Sequence, residues 1–185
     1  MNMRSGFYQV LLEDGREITC HPRGKLKLVR PESFREDRIA MGDIVLVSEQ
    51  IDGNAALEEV LPREHALIRS APDSRGEYKQ ILLANPDQVL LVFACAQPEP
   101  HLRMLDRFLV ICERQQIPAL IIANKVDLVG MEKALELFSL YSDLHYEVLY
   151  TSVKQNLGID KLRLALHGKL SGLVGPSGVG KSSLL

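Results

Sequence analysis

The stretch Gly175-Pro176-Ser177-Gly178-Val179-Gly180-Lys181-Ser182-Ser183-Leu184-Leu185 decides the fold. Its first eight residues fit G-x-x-x-x-G-K-[ST], the phosphate-binding loop pattern. A chain of phosphates needs many donors converging on one small volume. Glycines allow backbone N–H groups to turn inward with no Cβ in the way. In such a loop Lys181 brings a point charge to the β- and γ-phosphates, and the Ser182 hydroxyl is placed to ligate Mg²⁺; Ser183 follows it. A helix is expected to begin near Gly180, its free N–H groups adding positive potential. Residues 169–174, Lys-Leu-Ser-Gly-Leu-Val, read as the short apolar strand that such a loop requires.

Working back from the loop, the chain alternates strands and helices. Residues 88–95, Gln-Val-Leu-Leu-Val-Phe-Ala-Cys, form a continuous apolar run, the mark of a strand buried on both faces. Residues 101–116 are helical, with Leu102, Leu105, Leu109 and Cys112 on one face. A second buried strand is expected at 118–123, a helix at 131–141, a strand at 147–150 and a helix at 158–167. With the loop strand, this gives a parallel sheet wound by right-handed crossovers.

Two further patterns sit at strand ends. Asn124-Lys125-Val126-Asp127 follows the second buried strand. Guanine presents a ring N–H and an exocyclic amino group on one edge, and one carboxylate, Asp127, can accept both. Asn124 can brace the loop and reach the six-membered-ring edge, and the stem of Lys125 can cover a face of the base. Thr151-Ser152-Val153 follows the third strand, where a tight turn would aim N–H groups at the guanine oxygen. Each pattern alone is weak. Together they fall at the carboxyl ends of successive parallel strands, where open α/β sheets bind ligands.

The front of the chain reads differently. Residues 7–12, 16–21, 25–29, 44–47 and 56–61 read as five short strands, with turns at Asp14-Gly15, Gly42-Asp43 and Asp52-Gly53-Asn54. Five strands in about sixty residues suggest an OB-like barrel. The connection from residue 30 to 41 reads as a mobile loop, and residues 62–80 as a linker broken by Pro62, Pro72, Ser74 and Gly76. Arg23, Lys25, Lys27, Arg30, Arg35 and Arg38 stand against Glu32, Glu36 and Asp37, a local excess of +3. That excess fits single-stranded RNA on a barrel face and equally a solvated loop.

Composition adds bounds. The 185 residues carry a net charge of −2, are 46% hydrophobic and 25% charged, and contain no apolar run that would span a membrane. The first residues lack the apolar core of a signal peptide. Cys20, Cys95 and Cys112 have no metal-ligand spacing and read as buried, reduced thiols.

The three motifs resemble those of GTPases in rotated order, with the phosphate loop last, as in circularly permuted GTPases. With a barrel in front, carrying Gly24-Lys25-Leu26 and Gly42-Asp43-Ile44-Val45, the whole chain resembles the ribosome small-subunit-dependent GTPase A (RsgA, YjeQ) family. The resemblance implies an OB-like barrel over residues 1–68 and a permuted GTPase domain over 69–185, incomplete at its carboxyl end. It implies GTP hydrolysis stimulated by the small ribosomal subunit, with that subunit and its rRNA as partners, and late maturation of the subunit as the role. It implies a cytoplasmic, monomeric protein with no membrane partner, Mg²⁺ at the nucleotide, and Zn²⁺ in a carboxyl-terminal domain whose ligands this chain lacks. The family's switch threonine and D-x-P-G-type motif are also missing, so a fragment inactive alone is expected, with the residue that positions the attacking water unknown. Two competing readings are a non-catalytic rRNA-binding module with a vestigial nucleotide site and an ATPase, the latter opposed by Asp127.

Overall fold

The computed structural model describes residues 7–28, 39–49, 55–73 and 76–185. The chain folds as two compact units, Met1–Asn85 and Pro86–Leu185.

In the first unit, β1 (Tyr8–Leu11), β2 (Glu17–Leu28), β3 (Val45–Glu49) and β4 (Ala55–Val60) form one sheet in the order β1-β2-β4-β3. The Asp14-Gly15 turn joins β1 to β2: the Gly15 N–H donates to Leu12 O at 3.0 Å, and Gly15 takes φ +84°. The expected five-strand closed barrel is corrected here to four described strands, with β1 and β3 at the two edges. The strands expected at 16–21 and 25–29 are one strand. Pro22 and Gly24, which suggest a break, lie where the register of β2 on β4 shifts between Pro22 and Lys27. A bulge can take up residues that a regular ladder rejects. The inner face gathers Val10, Cys20, Ile39, Ala55, Leu57 and Val60.

The expected linker at 62–80 is a second correction. β5 (Ala66–Asp73) and β6 (Gly76–Ala84) pair as an antiparallel hairpin from Ala66↔Ala84 to Asp73↔Gly76. The breakers Pro72 and Gly76 fall at the far end of its pairing, and Ser74 lies outside the described residues. Position 68/69, the expected domain boundary, falls inside β5. The hairpin's root is pinned to this unit: the Ala84 N–H donates to Met41 O at 2.8 Å, and Asn85 Nδ2 to Gly42 O at 3.2 Å. Arg63 grips Asp43 through Nε at 2.5 Å and Nη2 at 2.7 Å, both side chains nearly inaccessible.

The second unit is the expected α/β layer. β7 (Gln88–Ala94), β8 (Ala119–Asn124), β9 (Val148–Thr151) and β10 (Ser171–Val174) are all parallel, in the order β10-β7-β8-β9. Every residue of β7 is buried, as a central strand covered on both faces requires. Leu90, Val92 and Ala94 face one way, against Leu162 of α3 (Ile159–Leu166) and Val179. Alternation sends Val89, Leu91 and Phe93 the other way, where α1 (Leu102–Arg114) lies against β7 and α2 (Met131–Asp143) against β9. α1 buries Leu105, Leu109 and Cys112, and α2 buries Ala134, Phe138 and Tyr141. Tyr141 Oη joins the two helices by donating to Asp106 Oδ1 at 2.8 Å.

This order positions a site. From β7 the chain steps outward to β8 and β9, then α3 carries it back over the opposite face to β10 on the far side of β7. The winding reverses between β7 and β10, and open α/β sheets bind ligands at the carboxyl ends of strands beside such a reversal.

Candidate nucleotide-binding site

Residues 175–180 leave the carboxyl end of β10 and enter the four-residue helix α4 (Lys181–Leu184). Two glycines are required by contact. A Cβ on Gly175 would lie 2.1 Å from Val92 O, because the loop crosses the backbone of β7. A Cβ on Gly180, which has φ +96°, would lie 2.5 Å from Asn124 Nδ2. Val179 is 1% exposed and anchors the loop in the core, while Ser177, Gly178, Ser182 and Ser183 are exposed. Lys181 folds back over its own loop, its Nζ donating to Gly175 O at 2.8 Å and Pro176 O at 2.6 Å.

Asn124 ends β8 and is 2% exposed. Its Nδ2 donates to Val179 O at 2.9 Å, and its Oδ1 accepts from Thr151 Oγ1 at 3.0 Å. One side chain thus joins all three motifs. Lys125 takes φ +63°, a left-handed turn that sends the chain into the 3₁₀ turn Val126–Leu128. Its Nζ donates to Gly178 O at 2.6 Å and to Gln97 O in the loop after β7. Val126 is buried beneath this turn. Ser152, fully buried, donates from Oγ to Asp127 Oδ1 at 2.6 Å and accepts the Gln155 N–H at 3.2 Å. Mutual backbone bonds between Ser152 and Leu157, at 2.9 and 3.0 Å, close that turn, and Val153 projects into solvent.

The structure therefore brings Asn124, Lys125, Thr151 and the 175–181 loop into one bonded group, with Asp127 held by Ser152 at its side. Arg23, Lys25 and Lys27 lie along β2, and Arg30, Arg35 and Arg38 lie outside the described residues, as does most of the expected mobile loop. Sequence reasoning missed the loop after β7. Besides Gln97 O on Lys125, Pro98 Cδ lies 3.6 Å from where a Gly178 Cβ would stand. The signal was present: Gln97-Pro98-Glu99-Pro100 follows the most apolar strand of the chain.

Behind the site the Cys95 N–H donates to Asn124 O at 2.8 Å. Burial, helped by the charge of Asp127, pushes the Cys95 thiol up to about 11. Burial, helped by Glu113, does the same to Cys112. All three cysteines are buried and free, so their thiols stay protonated at neutral pH and are poor nucleophiles. A cavity of about 500 Å³ lies at the opposite ends of β8 and β9, lined by Pro118, Ala119 and Glu147 among others, and no motif residue reaches it. Among the described residues no group of three His, Cys, Asp or Glu side chains could hold a metal ion, and no helix is long and apolar enough to cross a membrane.

Comparison with known proteins agrees with this geometry. The family model described as RsgA GTPase matches residues 60–185. The "Small ribosomal subunit biogenesis GTPase RsgA" of Gemmatimonas aurantiaca is 42% identical over 97% of this chain and 58% of its own length. That of Alkaliphilus metalliredigens is 36% identical over 98% and 56%. Among solved structures, YjeQ from Thermotoga maritima superposes with a TM-score of 0.76 at 34% identity, over 97% of this chain and 60% of that one. YloQ, described as a circularly permuted GTPase, gives 0.70 at 30% identity, over 98% and 60%. The chain spans a little over half the length of the curated relatives it matches. On its fold, its motif order and these matches, the chain belongs to the RsgA GTPase family.

Proposed function

We propose that this chain carries the GTP-binding site of a hydrolase that assists late maturation of the small ribosomal subunit. The observation that carries the reading is the Asn124 bridge, which makes a guanine-type loop and a phosphate-type loop parts of one hydrogen-bonded unit. In this reading Asp127 accepts the two donors on the guanine edge, since each carboxylate oxygen has two lone pairs and Ser152 takes only one of them. Residues 124–127 and 151–153 enclose the base, and residues 175–183 take the phosphates. Bound phosphate oxygens replace Gly175 O and Pro176 O as acceptors for Lys181. Ser182, an exposed hard-oxygen donor directly after Lys181, suits Mg²⁺. When bound with the nucleotide, that ion neutralises charge developing on the phosphates. The group that positions the attacking water is assigned to family segments outside this chain, and zinc likewise.

The front unit serves in this reading as an OB-like rRNA-binding unit, with residues 1–85 for RNA and 86–185 for nucleotide, in a monomeric cytoplasmic protein. Its basic residues 23–38 support this by charge.

Competition binding with a fluorescent GDP tests the nucleotide site. GTP should displace the probe and ATP should not, and Lys181→Ala should lose roughly a hundredfold in affinity. Equal displacement by ATP would defeat the reading. Steady GTP turnover by residues 1–185, abolished by Lys181→Ala, would place the missing catalytic group inside the chain after all. For RNA, replacing Arg23, Lys25 and Lys27 with Ala should weaken small-subunit rRNA binding and flatten its salt slope by about 0.7 per lost contact. Unchanged binding would reduce the segment to a solvated face.

A further inference from the structure

Gln88 opens β7 at the end of the sheet away from the motif loops. It is 5% exposed, and its amide is used on both sides. Nε2 donates to Ala165 O of α3 at 2.7 Å and to Ser171 Oγ of β10 at 2.9 Å. Oε1 accepts from Lys169 Nζ at 3.3 Å. Next to it Asp87 catches the start of β10 twice: its N–H donates to Leu170 O at 2.9 Å, and its Oδ2 accepts the Leu170 N–H at 2.6 Å. A buried amide with its donors satisfied is common in cores. What distinguishes this one is the pair of elements it joins.

β10 is four residues long and, among the described residues, pairs only with β7, from Ser171↔Gln88 to Val174↔Leu91. All four of its residues are half-buried. A strand without a strict buried-exposed alternation specifies its register weakly. Yet the loop it feeds has no tolerance for a slip. One residue of shift moves the loop by about 3.3 Å and takes Gly175 off Val92 O, where only glycine fits. α3, the helix whose last-turn carbonyl Gln88 takes up, is the one that follows the Thr151-Ser152 turn.

We infer that Gln88 is a positioning residue for the phosphate loop: its amide sets the register of β10 and fastens it to the helix that follows the base loop. The inference rests on the nucleotide-binding reading only for its functional consequence. The register itself is a property of the fold.

Hydrogen–deuterium exchange and nucleotide competition on the full chain test it, comparing Gln88→Met, which keeps length and volume, with Leu109→Val, a core change under α1. Gln88→Met should speed amide exchange across residues 171–181 by about tenfold or more, leaving residues 119–124 and 148–152 near the parent. GTP affinity should fall about tenfold, while the preference for GTP over ITP, which is set at the base end, stays unchanged. Ser171→Ala, which removes one of the two amide donations, should move the same readouts less and serves if Gln88→Met folds poorly. Faster exchange spread evenly over the sheet, as expected for Leu109→Val, or an undisturbed 171–181 segment would overturn the inference. Absence of GTP binding by the parent chain would count against the nucleotide reading, and exchange over 171–181 would then decide the register claim by itself.

Discussion

The base-side loops and the phosphate loop are built in opposite ways. On the base side the polar groups are inside: Asn124, Thr151 and Ser152 are 2%, 0% and 0% exposed. Each has a side-chain partner, as buried polar groups must. The phosphate loop springs from a short edge strand, exposes Ser177 and Gly178, and turns its lysine onto its own carbonyls. Its shape is held from outside, by Asn124 on Val179 and Lys125 on Gly178. The difference teaches that, in the proposed reading, base recognition and phosphate binding would not be independent modules. The base-side turns are braced internally, and the 175–181 loop is held through bonds from them.

The sharpest way to break the comparison is Asp127→Asn, which leaves the bracing intact and changes only what the base meets. Asn still offers an oxygen to Ser152. Its NH₂ faces the guanine amino group, donor against donor. The cost should be about 2–4 kcal/mol in GTP affinity, roughly thirty- to a thousandfold. Xanthosine triphosphate, with a carbonyl at that place, should gain, and ATP should not. Nucleotide competition reads all three, and an unchanged GTP preference would take Asp127 out of the site.

Next comes the brace itself. Asn124→Ala leaves the Val179 carbonyl and the Thr151 hydroxyl without their partner in a closed interior. Global stability should drop by about 2–3 kcal/mol, measured by urea unfolding, and amide exchange should quicken in both loops together. Faster exchange in the 175–181 loop with Thr151 and Ser152 unmoved would mean that the two regions are not joined as described. A smaller step is Lys125→Met, which keeps the apolar stem and deletes the ammonium. It should cost about 1–2 kcal/mol in nucleotide affinity and almost nothing in stability, because Lys125 is only half-buried.

How far the sequence reveals this depends on the range of the interaction. The strand–helix alternation, the buried run at 88–95 and the motif positions are legible because each is a local pattern of side-chain types. The helix expected at 131–141 spans Met131–Asp143, and the strand at 147–150 spans Val148–Thr151. Pro22 and Gly24 mislead, since a local rule reads them as a break and cannot see β4 absorbing them in a bulge. Gly42-Asp43 does mark a turn, but its composition gives no hint that Arg63, twenty residues on, grips that carboxylate in a nearly inaccessible pair. In the site, the residue types of Asn124, Asp127 and Lys181 were legible. That Lys125 would take a left-handed backbone and tie Gln97 to Gly178 was not, because the pattern fixes a side chain's identity and not its direction.

The smallest effect tests whether the floor under the base loops is as closed as the geometry implies. Cys95 lies there, directly bonded through its backbone to Asn124, and Cys112 lies in α1 near the other end of the sheet. Burial raises both thiols from an ordinary value of 9.0 to about 11. Between those values the folded chain keeps a proton that the unfolded chain releases. The unfolded state therefore binds fewer protons, and stability falls as pH rises through this window. Each thiol's contribution is fully present below pH 9 and should decline by about 1 kcal/mol by pH 10. Urea unfolding at pH 8 and pH 10 measures it, comparing the parent with Cys95→Ala and with Cys112→Ala, so that all other titrating groups cancel. Each variant should lose less stability than the parent over that interval, by similar amounts. A normal slope difference for Cys112→Ala with none for Cys95→Ala would mean that water reaches Cys95. The base-side floor would then be open, and the contrast between a closed base side and an exposed phosphate loop held from outside would fail at its foundation.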